Sequence, residues 1–299
     1  MECLGNKYLP FDAEELDGSS MWEIRKQIGE SEESRTRCLQ ILRKDLQSLK
    51  DIHPCLEEDF LLQVLRIAKF DPTKALQKIL RFYQHQDKLA EVFSKFSMSL
   101  QKAGSLNHMW VSPYRLENNS LLVIALAGKV DYSVYSFEER LYLDVITIYY
   151  CLKNPLNVMC GIHFILDFSG FNRRAFFEFT PRRMKLFAES LADFPLRIKG
   201  YHIINHPSVF SVIIKMAYPF LPKKIRDRFF AHPNDNWKSL HSHVPPDILP
   251  EQYGGKLKQS SLINPFENIP ELDEHYRQQM QFGSLRNRHL RQTMRAISR

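Results

Sequence analysis

Glycine is scarce in this 299-residue chain: 11 residues, against 21 phenylalanines and 12 tyrosines. That balance points to a bulky, aromatic interior. No G-x-G-x-x-G, P-loop or G-x-S-x-G stretch occurs, which excludes the glycine-built phosphate cradles and the nucleophile elbow. H-E-x-x-H is absent as well. His202, His206, His232, His241 and His243 have no cysteines spaced to join them, so they read as structural or exposed and no metal is expected. No nucleophile, base and oxyanion-donor set can be assembled, so the chain reads as a non-enzyme without a cofactor. C-x-x-C pairs are missing too. Cys3, Cys38, Cys55, Cys151 and Cys160 are odd in number and read as free thiols in a reducing compartment. MECLGNKYLP has no apolar core for a signal peptide and no glycine for myristoylation, and the final AISR is no prenylation box. A cytoplasmic protein is expected.

Acid is missing from one end. Past Glu274 there is no Asp or Glu, while Arg277, Arg286, Arg288, Arg291, Arg295 and Arg299 follow. Residues 1–34 are the converse, acid-rich through Glu14, Glu15, Asp17, Glu32 and Glu33. The formal net charge of +7 suits an anionic partner without choosing between nucleic acid and lipid. A terminal run of one sign reads as a solvated tail, here an accessory membrane-adsorbing or dynamic arm.

What is present is a change of texture. With 44% hydrophobic residues the chain can bury a large core. RCLQILRKDLQSLK repeats Leu39, Ile41, Leu42, Leu46 and Leu49 at helical spacing, and EEDFLLQVLRIAKF repeats Phe60, Leu61, Val64, Leu65 and Ala68. DPTKALQKILRFY adds a helix capped by Asp71, with Pro72 in its first turn. These predict a small helical bundle. From about residue 120, LLVIALAGKV, GIHFILDFSG and KGYHIINHP read as strands. FEERLYLDVITIYYCLK and TPRRMKLFAESLADF read as helices between them, the second capped by Thr180 with Pro181 following. Strand, helix, strand, helix, strand predicts a mainly parallel sheet.

One stretch asks for an explanation: INHPSVFSVIIKMAYPFLPKKIRDR, Ile204 to Arg228. A helix started by Pro207 and closed by Pro219 would be apolar nearly all round, with Ser208, Ser211 and Lys215 as its one polar stripe. It is too short for a bilayer, which takes about 20 residues. Lys223, Lys224, Arg226 and Arg228 follow it directly.

The succession resembles the CRAL-TRIO lipid-binding family from about residue 35 to 258. FLLQVLRIAKFDPTKAL is similar to its N-terminal helical signature. GIHFILDFSGF resembles its strand ending in Asp and a Gly turn, and FPLRIKGYHIINHPSVF its strand leading to an Asn-x-Pro helix start. PFLPKKIRDR and LPEQYGG resemble its later signatures. The branch of tocopherol- and retinaldehyde-binding proteins and clavesins is most similar in its basic residues. Departures are RLENNSLLVIAL in place of a Gly-Arg lead, a shortened LFAESLADFPLR, and Gln63 where the family often has Arg.

The resemblance implies an α/β fold: an N-terminal helical bundle followed by an α/β lobe whose mainly parallel sheet encloses an apolar ligand pocket. With the uneven charge, it divides the chain into an acidic segment (1–34), a helical domain (35–100), a lipid-binding domain (101–260) and a basic tail (261–299). It implies that Ile162, Phe164 and Leu166, which alternate along one strand face, line the pocket with Phe179, Phe187, Leu191 and Tyr201. Val209, Phe210, Val212, Ile213 and Met216 would form a gate over that pocket. Arg197 and Lys199 on one strand, with Lys224 and Arg228 four apart on a helix, would bind phosphoinositide head groups, the arginines by forked hydrogen bonds. The expected function is to carry a small hydrophobic ligand (tocopherol-, retinoid- or other isoprenoid-like) and exchange it at phosphatidylinositol phosphate-containing membranes, by peripheral association with intracellular, for instance endosomal, membranes. Rival readings are a phosphoinositide-binding trafficking or scaffold module and a nucleic-acid binder. The tail lacks the interleaved aromatics of the latter, apart from Tyr276 and Phe282. Asp167, at a strand end, is read as orienting a turn rather than as a catalytic acid.

Overall fold

The computed structural model describes residues 7–13, 16–95, 100–234 and 236–296. Cys3, Glu14, Glu15 and Arg299 lie outside them; the other four cysteines are free and buried. The helical part comprises α1 (Gly18–Ile28), α2 (Glu32–Ser48), the short strand β1 (Ile52–His53), α3 (Glu58–Ile67), α4 (Pro72–Phe93) and α5 (Leu100–Leu106). Asp71 caps α4 as expected, its carboxylate accepting from Lys74 N at 3.0 Å. The helix then runs past the stretch read from the sequence, because Leu89, Ala90 and Phe93 keep its inner face buried for about three further turns.

Next come β2 (Met109–Val111), β3 (Leu121–Ala125), α6 (Phe137–Cys151), α7 (Pro155–Cys160), β4 (Ile162–Asp167), α8 (Arg173–Glu178) and α9 (Pro181–Asp193). They are followed by β5 (Ile198–Ile204), α10 (Phe210–Ala217), α11 (Lys223–Arg226), β6 (Phe229–Ala231) and α12 (Lys238–His241). The five strands lie in the order β2-β3-β4-β5-β6. Only β2 runs antiparallel to its neighbour. β3 is buried along its whole length, as a parallel strand covered on both faces must be. Ser136 and Glu139 start α6 with a reciprocal capping box, and Thr180 caps α9.

Asp167 at the end of β4 accepts from Ser169 N (2.8 Å), Asn205 Nδ2 (2.9 Å) and the Tyr253 hydroxyl (2.8 Å). It therefore fixes the turn after β4 to the segments that follow β5 and α12. On the sheet face away from Phe164 and Tyr201, three imidazoles form a hydrogen-bonded row. His163 Nδ1 meets His202 Nε2 at 3.0 Å, His202 Nδ1 meets His232 Nε2 at 3.0 Å, and His232 Nδ1 reaches Ser239 Oγ at 2.8 Å. Gly200 makes room for it: a Cβ there would lie 2.6 Å from His202 Nε2 and 2.8 Å from His163 Nδ1. Among the described residues no group of three or more His, Cys, Asp or Glu could hold a metal ion.

Two expectations are corrected. The helix of the Ile204–Arg228 stretch starts at Phe210, not at Pro207, because the Pro207 carbonyl is used in a turn that accepts from Phe210 N at 2.9 Å. It has eight residues, and Pro219 sits in a following 3₁₀ turn, Tyr218–Phe220. The segment expected to be a solvated basic tail is folded where described. It forms α13 (Ile269–Gln279), β7 (Gly283–Ser284), paired antiparallel with β1, and α14 (Arg288–Ala296). Its arginines are not all in water. Arg277 binds Asp273 at 2.6 Å, and Arg291 is buried against Asp87 of α4. Among the described residues no helix is long and apolar enough to cross a membrane.

Candidate ligand pocket and basic cleft

α6, β4, β5 and α9 surround a cavity of about 70 Å³. Of the expected residues, Phe164, Leu166, Phe187, Leu191 and Tyr201 line it. Phe164 and Tyr201 stack across the two strands, ring centroids 4.8 Å apart. Ile162 and Phe179 do not line it. Ile162 is buried at the first residue of β4, on the correct face but too early along the strand. Phe179 instead packs edge-on against Tyr132 and Phe137.

Residues of α6 were not expected at this site: Arg140, Leu141, Asp144, Val145 and Ile148 all line the cavity. Arg140 Nη2 forms an ion pair with Asp144 Oδ2 at 3.0 Å, and His108 Nε2 lies 2.6 Å from Asp144 Oδ1. Burial opposes the charge on Arg140, but the Asp144 carboxylate and the Tyr132 hydroxyl together outweigh it and raise the guanidinium pKa. Burial likewise opposes the charge on Asp144, yet Arg140 and His108 hold its carboxyl below the usual range. The spacing of a charged pair four apart inside FEERLYLDVITIYYC, on the face of Leu141, Val145 and Ile148, was the signal in the sequence.

None of the five expected gate residues lines the cavity. α10 packs on α9, whose Phe187 and Leu191 do. Phe210 and Ile213 are buried, Phe210 edge-on to Phe168 with centroids 5.1 Å apart. Met216 is half-buried. Val209 and Val212 face water, 40% and 48% exposed, with Tyr218 and Phe220 exposed just beyond. Phe177 of α8, unforeseen from the sequence, is 69% exposed.

Arg197, Lys199, Lys224 and Arg228 do converge, on a cleft of about 540 Å³. Their geometry differs from expectation. Arg197 precedes β5, and Arg228 lies beyond the four-residue helix α11 rather than on a shared face with Lys224. Both guanidiniums are already used. Arg197 donates to the carbonyls of Met159 and Arg66, each at 2.9 Å, and Arg228 donates to that of Ile198. Among the described residues no hydrogen bond or ion pair engages the ammonium groups of Lys199 or Lys224. Burial lowers the pKa of each, and the neighbouring arginine charges lower it further. Lys69, Lys74, Lys78 and Arg81 add charge from the helical part, and Lys78 donates to the Ala192 carbonyl at 2.5 Å. Lys223 points elsewhere, paired with Asp227 at 2.6 Å. Leu191 and Leu196 line both the apolar cavity and the basic cleft, so one wall separates the two.

Residues 109–255 match the family model described as CRAL/TRIO domain. The "Alpha-tocopherol transfer protein-like" protein of Homo sapiens is 30% identical over 236 residues, covering 78% of this chain and 69% of its own. Its Mus musculus counterpart is 31% identical, covering 78% and 68%. "Clavesin-1" of Rattus norvegicus is 28% identical over 229 residues, covering 73% of this chain and 64% of its own. A solved structure titled "Crystal structure of Sfh5" superimposes with a TM-score of 0.43 at 11% identity, covering 86% of this chain and 98% of that one.

Proposed function

The chain belongs to the CRAL/TRIO domain family, and on that premise we propose that it carries one apolar lipid between α6, β4, β5 and α9 and exchanges it at membranes bearing phosphoinositides. One observation supports this reading above the others: the apolar cavity and the basic cleft share Leu191 and Leu196. Head-group phosphates drawn to Lys199 and Lys224 press on the wall that holds the lipid. Such binding favours release only if the closed and open pockets differ in their affinity for the head group.

Ligand pockets usually measure about 300–1,000 Å³, so lipid entry has to enlarge a cavity of about 70 Å³. The moving parts are α9 and, outside it, α10. Opening turns Val209 and Val212 toward acyl chains, which removes the cost of presenting apolar surface to water. Hiding roughly 400 Å² of lipid at about 25 cal/mol per Å² is worth on the order of 10 kcal/mol, so a bound ligand stays until a membrane lowers the barrier. The test is to incubate the purified chain with a total cell extract, re-isolate it, and identify bound lipid by mass spectrometry. One lipid species near one per chain supports the reading. Co-purifying RNA without lipid overturns it.

A further inference from the structure

A lipid pocket lined by a salt bridge is chemically odd, because two charges facing an apolar cavity sacrifice solvation that a leucine pair would not. Arg140 and Asp144 do this: both line the cavity, and their side chains are only 8% and 16% exposed. The pair is not fully satisfied by the protein. Asp144 has two partners, Arg140 and His108, but the Arg140 Nε–H is buried with no hydrogen bond of good geometry, and the neighbouring Tyr132 hydroxyl is likewise buried and unmet. Tyr201, on the opposite wall, offers a hydroxyl that takes part in no hydrogen bond among the described residues. The rest of the lining is apolar, except for Ser190, whose hydroxyl is already bound to the Leu186 carbonyl and to His85.

Resting on the lipid-carrier reading, we infer that Arg140 and Asp144 are the polar anchor of the pocket and select a lipid with one uncharged oxygen, an alcohol or a carbonyl. The Arg140 Nε–H donates to that oxygen, and Tyr201 offers a second donor or, for an alcohol, an acceptor. A hydrocarbon leaves the buried donor unmet. A carboxylate is the wrong head for a different reason. The guanidinium is already neutralised by Asp144, so a second anion enters a low-dielectric site without a cation of its own. The anchor thus sorts ligands by charge, while the aromatic walls accept many apolar bodies.

The probe is tritiated geranylgeraniol loaded onto the full chain, challenged with the unlabelled alcohol, its aldehyde, its carboxylate and the C20 hydrocarbon phytane. The alcohol and aldehyde displace it at similar concentrations. The carboxylate and the hydrocarbon need at least about tenfold more, the scale set by one buried group left without its partner. In Arg140→Met with Asp144→Asn both charges go together, so no lone buried ion is left, and the amide still accepts from His108. That variant retains the probe but loses most of the discrimination. Equal displacement by all four lipids in the wild type, or discrimination unchanged in the double variant, overturns the anchor and leaves lipid carriage standing. A wild-type chain that never retains the probe overturns the carrier reading, and the anchor with it.

Discussion

Arg291 of α14 buries its guanidinium against the carboxylate of Asp87 on α4, with 1% of its side chain exposed. Asn287 Nδ2 donates to the other oxygen of Asp87 at 3.0 Å, and Arg291 also reaches the Ser284 carbonyl at 2.6 Å. The last helix is therefore riveted to the longest helix of the bundle. Arg291→Ala leaves a buried carboxylate short of its cation and is expected to cost about 3–5 kcal/mol, read as a lowered midpoint in urea denaturation. An unchanged midpoint would return the segment to the role of a solvated arm.

Much of the architecture was legible because local chemistry and global fold agree. Asp71-Pro72, Ser136 with Glu139, and Thr180-Pro181 announce helix starts that tertiary packing has no reason to move. LLVIA and IHFILD are too short and too apolar for anything but buried strands. The misses have physical causes. Ile162 shares a face with Phe164, but periodicity says nothing about how far along a strand a cavity extends. The Arg-rich end looked solvated because its partners, Asp87 and Asp273, are acids that charge counting cannot pair with it. The anchor was hidden in a helix that reads as core, marked past its capping box by one charged pair four apart.

The four cleft cations should separate into two classes. Arg197 ties α3 to α7 through the carbonyls of Arg66 and Met159, so Arg197→Ala is expected to lose about 1–3 kcal/mol of stability. Lys199→Ala with Lys224→Ala touches no hydrogen bond of the fold and should leave stability within about 0.5 kcal/mol. The double variant should bind phosphoinositide vesicles more weakly by about 1 kcal/mol per lysine, an effect that fades in high salt. Sedimentation with vesicles, together with thermal melts, distinguishes the two; a double variant that binds as tightly as wild type contradicts the assignment.

The histidine row makes stability depend on pH. Burial lowers the pKa of His163 and His232 to about 4 and of His202 to about 2, with neighbouring histidines and, at His163, Lys199 adding to the effect. The unfolded chain takes up protons near pH 6.5 while the folded chain stays neutral, so stability is highest above that value and falls as pH drops from 6.5 toward 4. Each group contributes at most about 1.4 kcal/mol per pH unit. Urea midpoints at pH 7.5 and 5 should differ by more in wild type than in His202→Gln. Equal differences would mean that the row does not govern acid stability.

Val209 and Val212 are exposed and make little of the core, so Val209→Asp with Val212→Asp should fold normally. Charge on that face opposes entry into a bilayer. Lipid transfer to every kind of vesicle should slow, whereas lipid held in solution should be unaffected. Wild-type transfer rates in this variant would remove α10 from the exchange step.

The most direct test of the coupled cavity and cleft is the rate at which a lipid-loaded chain delivers its cargo to two vesicle populations of equal surface charge. One contains phosphatidylinositol bisphosphate, the other phosphatidylserine alone. Transfer should be faster to the first, and the advantage should disappear in Lys199→Ala with Lys224→Ala while ligand affinity in solution stays the same. Equal rates to both populations in the wild-type chain, at physiological salt, would contradict the account.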